Sequence, residues 1–421
     1  MTTPNTGRCP ASTTAPAPQG PVPIYGPQFD ADPSAVYQRL RAQGPVAEVE
    51  IAPRVYGYLA VSYWACLHLL RNNPQHFAKD PTLHWAALRN GQVPADSPAR
   101  QMMMPRDNAL WKDGAEHTRL RQAITQALDL VDTHSLARTV ARIADQLIDA
   151  FSADGHADLV AQYADPLPML TVVNLFRCPR ELGERIIAYV TTLFAAGEDA
   201  AQANTRLEAV CLELVHHKRA RPGPDVVTYL IQTGLSDPEL VQTLLLLFGA
   251  AAPPTAKHIG RGIQHLLTDA QAAGTVHTGV TPVAAALEEV LWTAPAVPNY
   301  CPLYARGPQN VAGIRVEPGY PILVSFAAAN TDPAVEVSPD QRLGNAGHLA
   351  FSAGAHACPA PGLARVISET AVERLLDRLS GLTLTIPGHR VPNLPGTFLA
   401  GPAQLPVRFQ SSPALTGRPL P

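Results

Sequence analysis

From residue 116 to about residue 267, apolar residues recur three and four positions apart almost without interruption. That spacing lays one side of a helix against a core. Turn residues cut the stretch at Asp154-Gly155, Pro179-Arg180, Pro222-Gly223-Pro224 and Ser236-Asp237-Pro238, which predicts a series of helices. Ser236 is placed to cap the last of them, with Glu239 completing a capping box ahead of the apolar run 244–248. This helix is expected to be the longest and the most buried. Upstream, residues 34–43 have helical spacing, and 46–50 followed by 56–61 read as a hairpin. Helices are predicted again over about 282–292 and 362–379. Between them Pro295, Pro298 and Pro302 impose extended chain. Strands are expected at 314–316 and 322–326, with Pro318-Gly319 as the turn between them, and near 382–386 and 405–409. No repeat of fixed period is visible. The pattern predicts a mainly α fold with minor β in one domain over residues 24–411. A Pro-, Thr- and Ala-rich arm (1–23) reads as disordered, and 412–421 as a tail.

Composition narrows the partners. With 46% hydrophobic and 16% charged residues and a net charge of -3, the chain has material for a large core and no basic stripe for nucleic acid. Its densest basic cluster, 216–221, reads as a solvated helix end. The six cysteines (9, 66, 178, 211, 301 and 358) form no CxxC pair and no regular spacing, so neither a zinc module nor a disulfide framework is expected. The N-terminus lacks the basic start and apolar stretch of a secretory signal. The most apolar run, 244–252, ends at Pro253-Pro254, short of the roughly 20 residues that cross a bilayer. A cytoplasmic location without a membrane span is the expectation.

The chemistry concentrates in residues 351–365, where Phe351, Gly354, His356 and Cys358 precede a predicted helix at close spacing. On residue types alone Cys358 is either a small buried core residue or a ligand sulfur, kept deprotonated by backbone N–H groups and a helix N-terminus. On the second reading Gly354 permits a tight turn toward a flat cofactor, Phe351 packs beside the ligand, and His356 bonds an acidic edge group of that cofactor.

The loop resembles the haem-binding signature of the cytochrome P450 family, FxxGxHxCxGxxLAR. It matches at Phe351, Gly354, His356, Cys358, Leu363, Ala364 and Arg365, with Ala360 in place of the second glycine. The similarity runs from about Phe29 to Phe409. It implies a cytochrome P450 fold, haem b as cofactor and Cys358 as the axial thiolate. It also implies that His117 and Arg121, in a segment similar to the family's HTRLR, bind a haem propionate. The exposed basic helix face remains the plain alternative for that pair. The added methyl of Ala360 is expected to alter the ligand geometry slightly.

Three positions depart from the family pattern. Where the family has ExxR, Glu289 is followed by Trp292 instead of arginine. The carboxylate must then find another donor, Arg306 and Arg342 being candidates, be protonated or reach water, while the indole fills volume. In the central helix, Pro253 and Pro254 replace the acid and the first alcohol of AGxE/DTT. Proline relays no proton, and the pair is expected to kink the helix and open the groove beside it. Thr255 is the nearest hydroxyl and the candidate catalytic residue, unless it back-bonds to its own helix. Leu303 stands where the family often has an arginine to the second propionate, so His356 is left to carry that contact and a weaker hold on haem is expected. The departures resemble an actinobacterial subgroup lacking the ExxR arginine.

The resemblance further implies an iron- and haem-dependent monooxygenase, an oxidoreductase fed by a ferredoxin and ferredoxin reductase and acting on an apolar small molecule. The pocket walls it implies are Trp85, Met103, Phe248, Ala251, Ala252, Val297 and Phe398. The altered motifs leave two alternatives: a peroxide-driven or non-oxidative haem enzyme, and a haem-bound binding or regulatory protein with little turnover.

Overall fold

A computed structural model describes residues 20–415 apart from 72–73, 195–198, 278, 336, 343 and 395. The arm ends earlier than its composition suggests. Val22 and Pro23 form β1 (Val22–Pro23), paired parallel with Val49 and Glu50, and Ile24 is buried beyond them; residues 1–19 lie outside the described residues. The tail also begins attached, for the Ser412 N–H donates to the Ser152 carbonyl at 3.0 Å.

Helix α1 (Pro33–Gln43) starts where Asp32 accepts the Ala35 N–H at 2.9 Å, with Pro33 in a first turn that has no N–H to lose. The hairpin β2 (Val46–Ala52) and β3 (Val55–Ala60) follows as its alternation predicts. After α2 (Tyr63–Arg71) comes the short β4 (Phe77–Ala78). The helical region contains α3 (Gly114–Asp129), α4 (Thr133–Asp149), the strand β5 (His156–Asp158), α5 (Pro166–Leu175), α6 (Arg180–Phe194), α7 (Ala200–Ala220) and α8 (Asp237–Thr268). Then come α9 (Val283–Thr293), β6 (Asn299–Ala305), β7 (Gln309–Val311), β8 (Ile314–Val316), β9 (Pro321–Ser325), α10 (Pro361–Arg378), β10 (Thr383–Leu384) and β11 (Pro406–Arg408).

The main sheet has the order β1-β2-β3-β9-β6-β4. Gly57 allows β3 to close on β9, because a Cβ there would lie 2.5 Å from the Pro321 carbonyl oxygen. The register of β6 slips between Tyr300 and Leu303, where Pro302 has no N–H for the ladder. The turn at Pro318-Gly319 is present, with Gly319 at φ 94, but it does not join two paired strands. Strand β8 pairs with β7 in a sheet of its own, and the turn passes the chain to β9 in the main sheet. Local turn chemistry marks the reversal without naming the partner.

Helix α8 begins with the expected capping box at Ser236 and Glu239 and runs 32 residues, the longest helix of the described residues. It packs against α5, α7, α9 and α10, with Leu240, Leu244 and Phe248 in one apolar cluster and Ile259, Ile263 and Leu266 in another. The two prolines do not end it. They remove the donors to the Gly249 and Ala250 carbonyls, and at that turn Gly249, Ala250, Pro253 and Pro254 are not buried, although Phe248, Ala252 and Thr255 are. Among the described residues no helix is long and apolar enough to cross a membrane.

Candidate active site

The cysteine loop is wound by backbone hydrogen bonds around its sulfur. The Cys358 N–H donates to the Phe351 carbonyl at 2.8 Å, the Ala357 N–H to that of Gly354 at 3.2 Å, and the Ser352 N–H to that of Leu349 at 2.7 Å. Ser352 and Gly354 take left-handed conformations, φ 63 and 70. The Ala360 N–H, at the cap of α10, points at Cys358 Sγ from 3.4 Å. Gly354 serves the docking of the loop on α2, where a Cβ would meet the Leu70 carbonyl oxygen at 2.2 Å, so no other residue fits there. Ala360 sits at φ −134, a conformation open to any L residue, so its methyl adds no backbone strain.

Burial pushes the Cys358 thiol up, while the Ala360 N–H, Arg121 and Arg365 draw it back toward the thiolate. From Phe351 to Val366 no residue of the loop is fully buried, Phe351 and Leu363 included. An apolar loop anchored at both ends yet uncovered leaves room for a flat apolar partner. His356, within the loop, places its ring 4.0 Å from that of His117, tilted by 37°. Burial, then Lys79, His117 and Arg121, push His356 down to about 2, so its ring is neutral. Burial and Arg121 also lower His117, against the pull of Asp113. The only opposite charge bearing on Arg121 among the described residues is the Cys358 sulfur. The imidazole rings of His117 and His356 and the cationic side chains of Arg121 and the buried Lys79 therefore converge on one side of the loop, an arrangement that suits a bound anion.

Behind the loop lies a second buried cluster that sequence reasoning placed one residue away. Glu288, not Glu289, is the buried carboxylate. It accepts from His348 Nε2 at 2.9 Å and from Arg365 Nε at 3.3 Å, and Arg365 also covers the Phe351 ring, its guanidinium carbon 5.0 Å from the centroid. Burial raises the Glu288 carboxyl, but His348 and Arg365 outweigh it and hold it below its ordinary range. Glu289 lies nearer the surface in an ion pair with Arg342, which answers the partner question for that residue. Trp292 is buried, donates its indole N–H to the Asn345 carbonyl at 3.3 Å, and meets the His348 ring edge-on at 5.6 Å. Asn330 ties the two sides together, donating to the Leu291 carbonyl at 2.9 Å and accepting the Leu349 N–H at 2.7 Å.

His258, on α8, faces this cluster. It is buried, and its Nδ1 has no hydrogen-bond partner. Burial pushes it down from 6.5 to about 4, opposed by Glu288 and assisted by Arg365 and His348. The fold thus holds it neutral while the unfolded chain titrates near 6.5. Between those pH values the unfolded state binds more protons, so stability falls as pH drops from 6.5 toward 4, by about 3 kcal/mol from this group. Urea unfolding at pH 7 and pH 4.5 is expected to show that loss in the wild type and a smaller one in His258→Leu.

The remaining predicted residues divide. Thr255 does not back-bond to its helix, unlike Thr171, Thr192 and Thr268, which do, so its hydroxyl is available to a ligand or water. Leu303 is buried in the apolar cluster of the sheet. Trp85, Met103 and Phe248 are at most 1% exposed, Trp85 stacked on Tyr304 and Phe248 against Phe176. All three are packed within apolar clusters. Ala252 and Phe398 are buried too, the latter edge-on to Tyr300. Ala251 and Val297 alone of the set keep open surface. Lys79, Glu288, His348 and His258 were missed. Their one signal is a polar residue inside an apolar stretch, which does not distinguish a site from a satisfied core position.

No protein-family model matches the chain. It is 30% identical over 340 residues to the mycinamicin IV hydroxylase/epoxidase of Micromonospora griseorubida, covering 76% of this chain and 84% of that one. To the cytochrome P450 monooxygenase PikC of Streptomyces venezuelae it is 29% identical over 412 residues, 94% and 96% of the two chains. Among solved structures, CYP154C4 from Streptomyces sp. W2061 superposes with a TM-score of 0.82 at 26% identity, covering 95% of this chain and all of the other.

Proposed function

This chain belongs to the bacterial cytochrome P450 family, haem-thiolate monooxygenases, and from that premise we propose that Cys358 is the iron ligand and an apolar small molecule the substrate. The observation that carries the reading is the pairing of an N–H-directed sulfur with a converging set of basic side chains beside an uncovered apolar loop. His117 and Arg121 hold one propionate, Phe351 lies beside the sulfur, and Arg365 fixes both Phe351 and Glu288. When bound, the haem supplies oxygen activation: one atom of dioxygen enters the substrate and the other leaves as water, with two electrons and two protons consumed. A ferredoxin and its reductase deliver the electrons. The substrate is a secondary metabolite, of the class on which relatives such as the mycinamicin hydroxylase act.

Protons are the constraint on this chain. Pro253 and Pro254 offer no side-chain donor, so Thr255 positions the water that supplies them. The same two prolines favour a second reading, in which peroxide brings its own protons and the relay is dispensable. Product formation by Thr255→Ala separates the two. We expect at least a tenfold loss with ferredoxin, ferredoxin reductase and NADPH, and little change with hydrogen peroxide. Turnover by the wild type with peroxide alone would establish the second reading. Ligand-induced spectral shifts without product under either oxidant would instead mark a haem-bound binding protein.

A further inference from the structure

We propose that a groove where α4, α5 and α6 meet binds an aliphatic carboxylate, a fatty acid anion. It shares no residue with the site described above, and the assignment does not rest on the haem reading. Its volume is about 520 Å³, inside the range of roughly 300–1,000 Å³ typical of small-molecule sites. The apolar lining follows from helix periodicity. Leu170 and Val173 share a face of α5, Ile187 lies one turn beyond Gly183 on α6, and the buried Ile143 of α4 completes the floor. Leu170, Val173 and Ile187 are only half-buried, so the groove presents aliphatic surface that the fold leaves open. Gly183 sets the helix spacing, since a Cβ there would lie 2.8 Å from Val173 Cγ1.

Charge selects the ligand. Among the described residues, Arg142, Arg177 and Arg180 line the groove against one carboxylate, Glu184, in a chain whose net charge is -3. Arg180 pairs with Glu184 at 2.8 Å and Arg142 donates to Gln146 at 3.2 Å, each within its own helix. Arg177 stands in the turn between α5 and α6, and its backbone supplies the second argument. It follows the cap of α5 at φ 43, a left-handed position where glycine or asparagine is the low-cost choice. The fold holds it there from beneath: the buried Lys218 ammonium donates to the Arg177 carbonyl at 3.0 Å and to Asp225 at 2.8 Å. An arginine fixed in a conformation that favours glycine is accounted for by its side chain, which stands at the rim of an apolar groove. A guanidinium beside aliphatic surface suits a carboxylate head, taken by two parallel hydrogen bonds, with a hydrocarbon tail behind it.

The test is calorimetric titration of laurate into the purified protein, with an azole that ligates haem iron present to block that pocket. Photo-crosslinking by a diazirine fatty acid, mapped by mass spectrometry, locates the bound molecule. Crosslinks are expected on residues 142–146 and 170–187, and dodecanol, the neutral analogue, is expected to bind roughly tenfold more weakly than laurate or worse. Arg177→Gln is expected to weaken laurate by a similar factor, and Ile187→Glu to abolish its binding. Arg177→Gly is the decisive variant. It is expected to raise the urea unfolding midpoint, because it relieves the left-handed backbone, while losing laurate as Arg177→Gln does. Laurate affinity unchanged in Arg177→Gln, equal affinity for dodecanol, or crosslinks confined to other segments would overturn the assignment. So would concentration-dependent dimerisation that Ile187→Glu abolishes in a protein that binds no laurate, which would give the groove to a second copy of the chain.

Discussion

Cys358→Ala is expected to abolish the thiolate-type absorption of the ferrous carbon monoxide complex completely, and to leave any residual haem with the spectrum of a nitrogen- or water-ligated iron. No other described sulfur is placed to rescue it. Cys66 and Cys211 are buried in apolar clusters, and burial drives both thiols far above their ordinary value. Cys178 is pushed up to about 12, again by burial, with Lys218 giving only partial relief. Cys358 differs in kind: an N–H aims at its sulfur, two arginines bear on it, and it stands before the first turn of α10. Cys358→Ser keeps the loop's size and its backbone hydrogen bonds while exchanging sulfur for oxygen. Loss of the band in both variants, with far-UV circular dichroism unchanged, ties the spectrum to the sulfur. An unaltered band in Cys358→Ala would end the haem-thiolate reading of this loop.

What the sequence made legible, and what it hid, follows from the range of each interaction. Periodicity located α8, α9 and α10 within a residue or two because burying a helix face is a local pattern. The capping box at Ser236 is likewise four residues long and was read correctly. The cysteine loop was legible because its chemistry lies within fifteen consecutive positions. Pairings between distant segments were not. Motif position points to Glu289 as the critical acid, yet the rotation of α9 against α10 turns Glu288 inward to Arg365, 77 residues away, and leaves Glu289 to Arg342. Pocket walls and core are likewise not separated by sequence. Trp85, Met103 and Phe248 are large and apolar, and such residues satisfy core and pocket equally well until the packing is known.

The shift from Glu289 to Glu288 sets the outcome of restoring the family's arginine. Trp292→Arg is expected to destabilise the fold by about 3–5 kcal/mol, the range for losing a buried large aromatic or for leaving a buried charge uncompensated. The indole is 3% exposed, fills the space beside His348 and caps the Asn345 carbonyl. An arginine there would arrive beside His348 and Arg365, which already share the buried carboxylate Glu288. The alternative acceptor, Glu289, is engaged with Arg342. The sign of the effect is therefore the information. Destabilisation means that the tryptophan is built into a rearranged ion cluster, whereas a gain in stability would mean that Glu289 is poorly served by Arg342. Urea unfolding of holoprotein, followed by tryptophan-independent circular dichroism and by loss of the thiolate band, measures both the fold and the loop behind Cys358. Combining Trp292→Arg with Arg342→Met completes the cycle. If the new guanidinium displaces Arg342 from Glu289, the double variant is less destabilised than the sum of the singles; additivity places the damage in the lost indole packing.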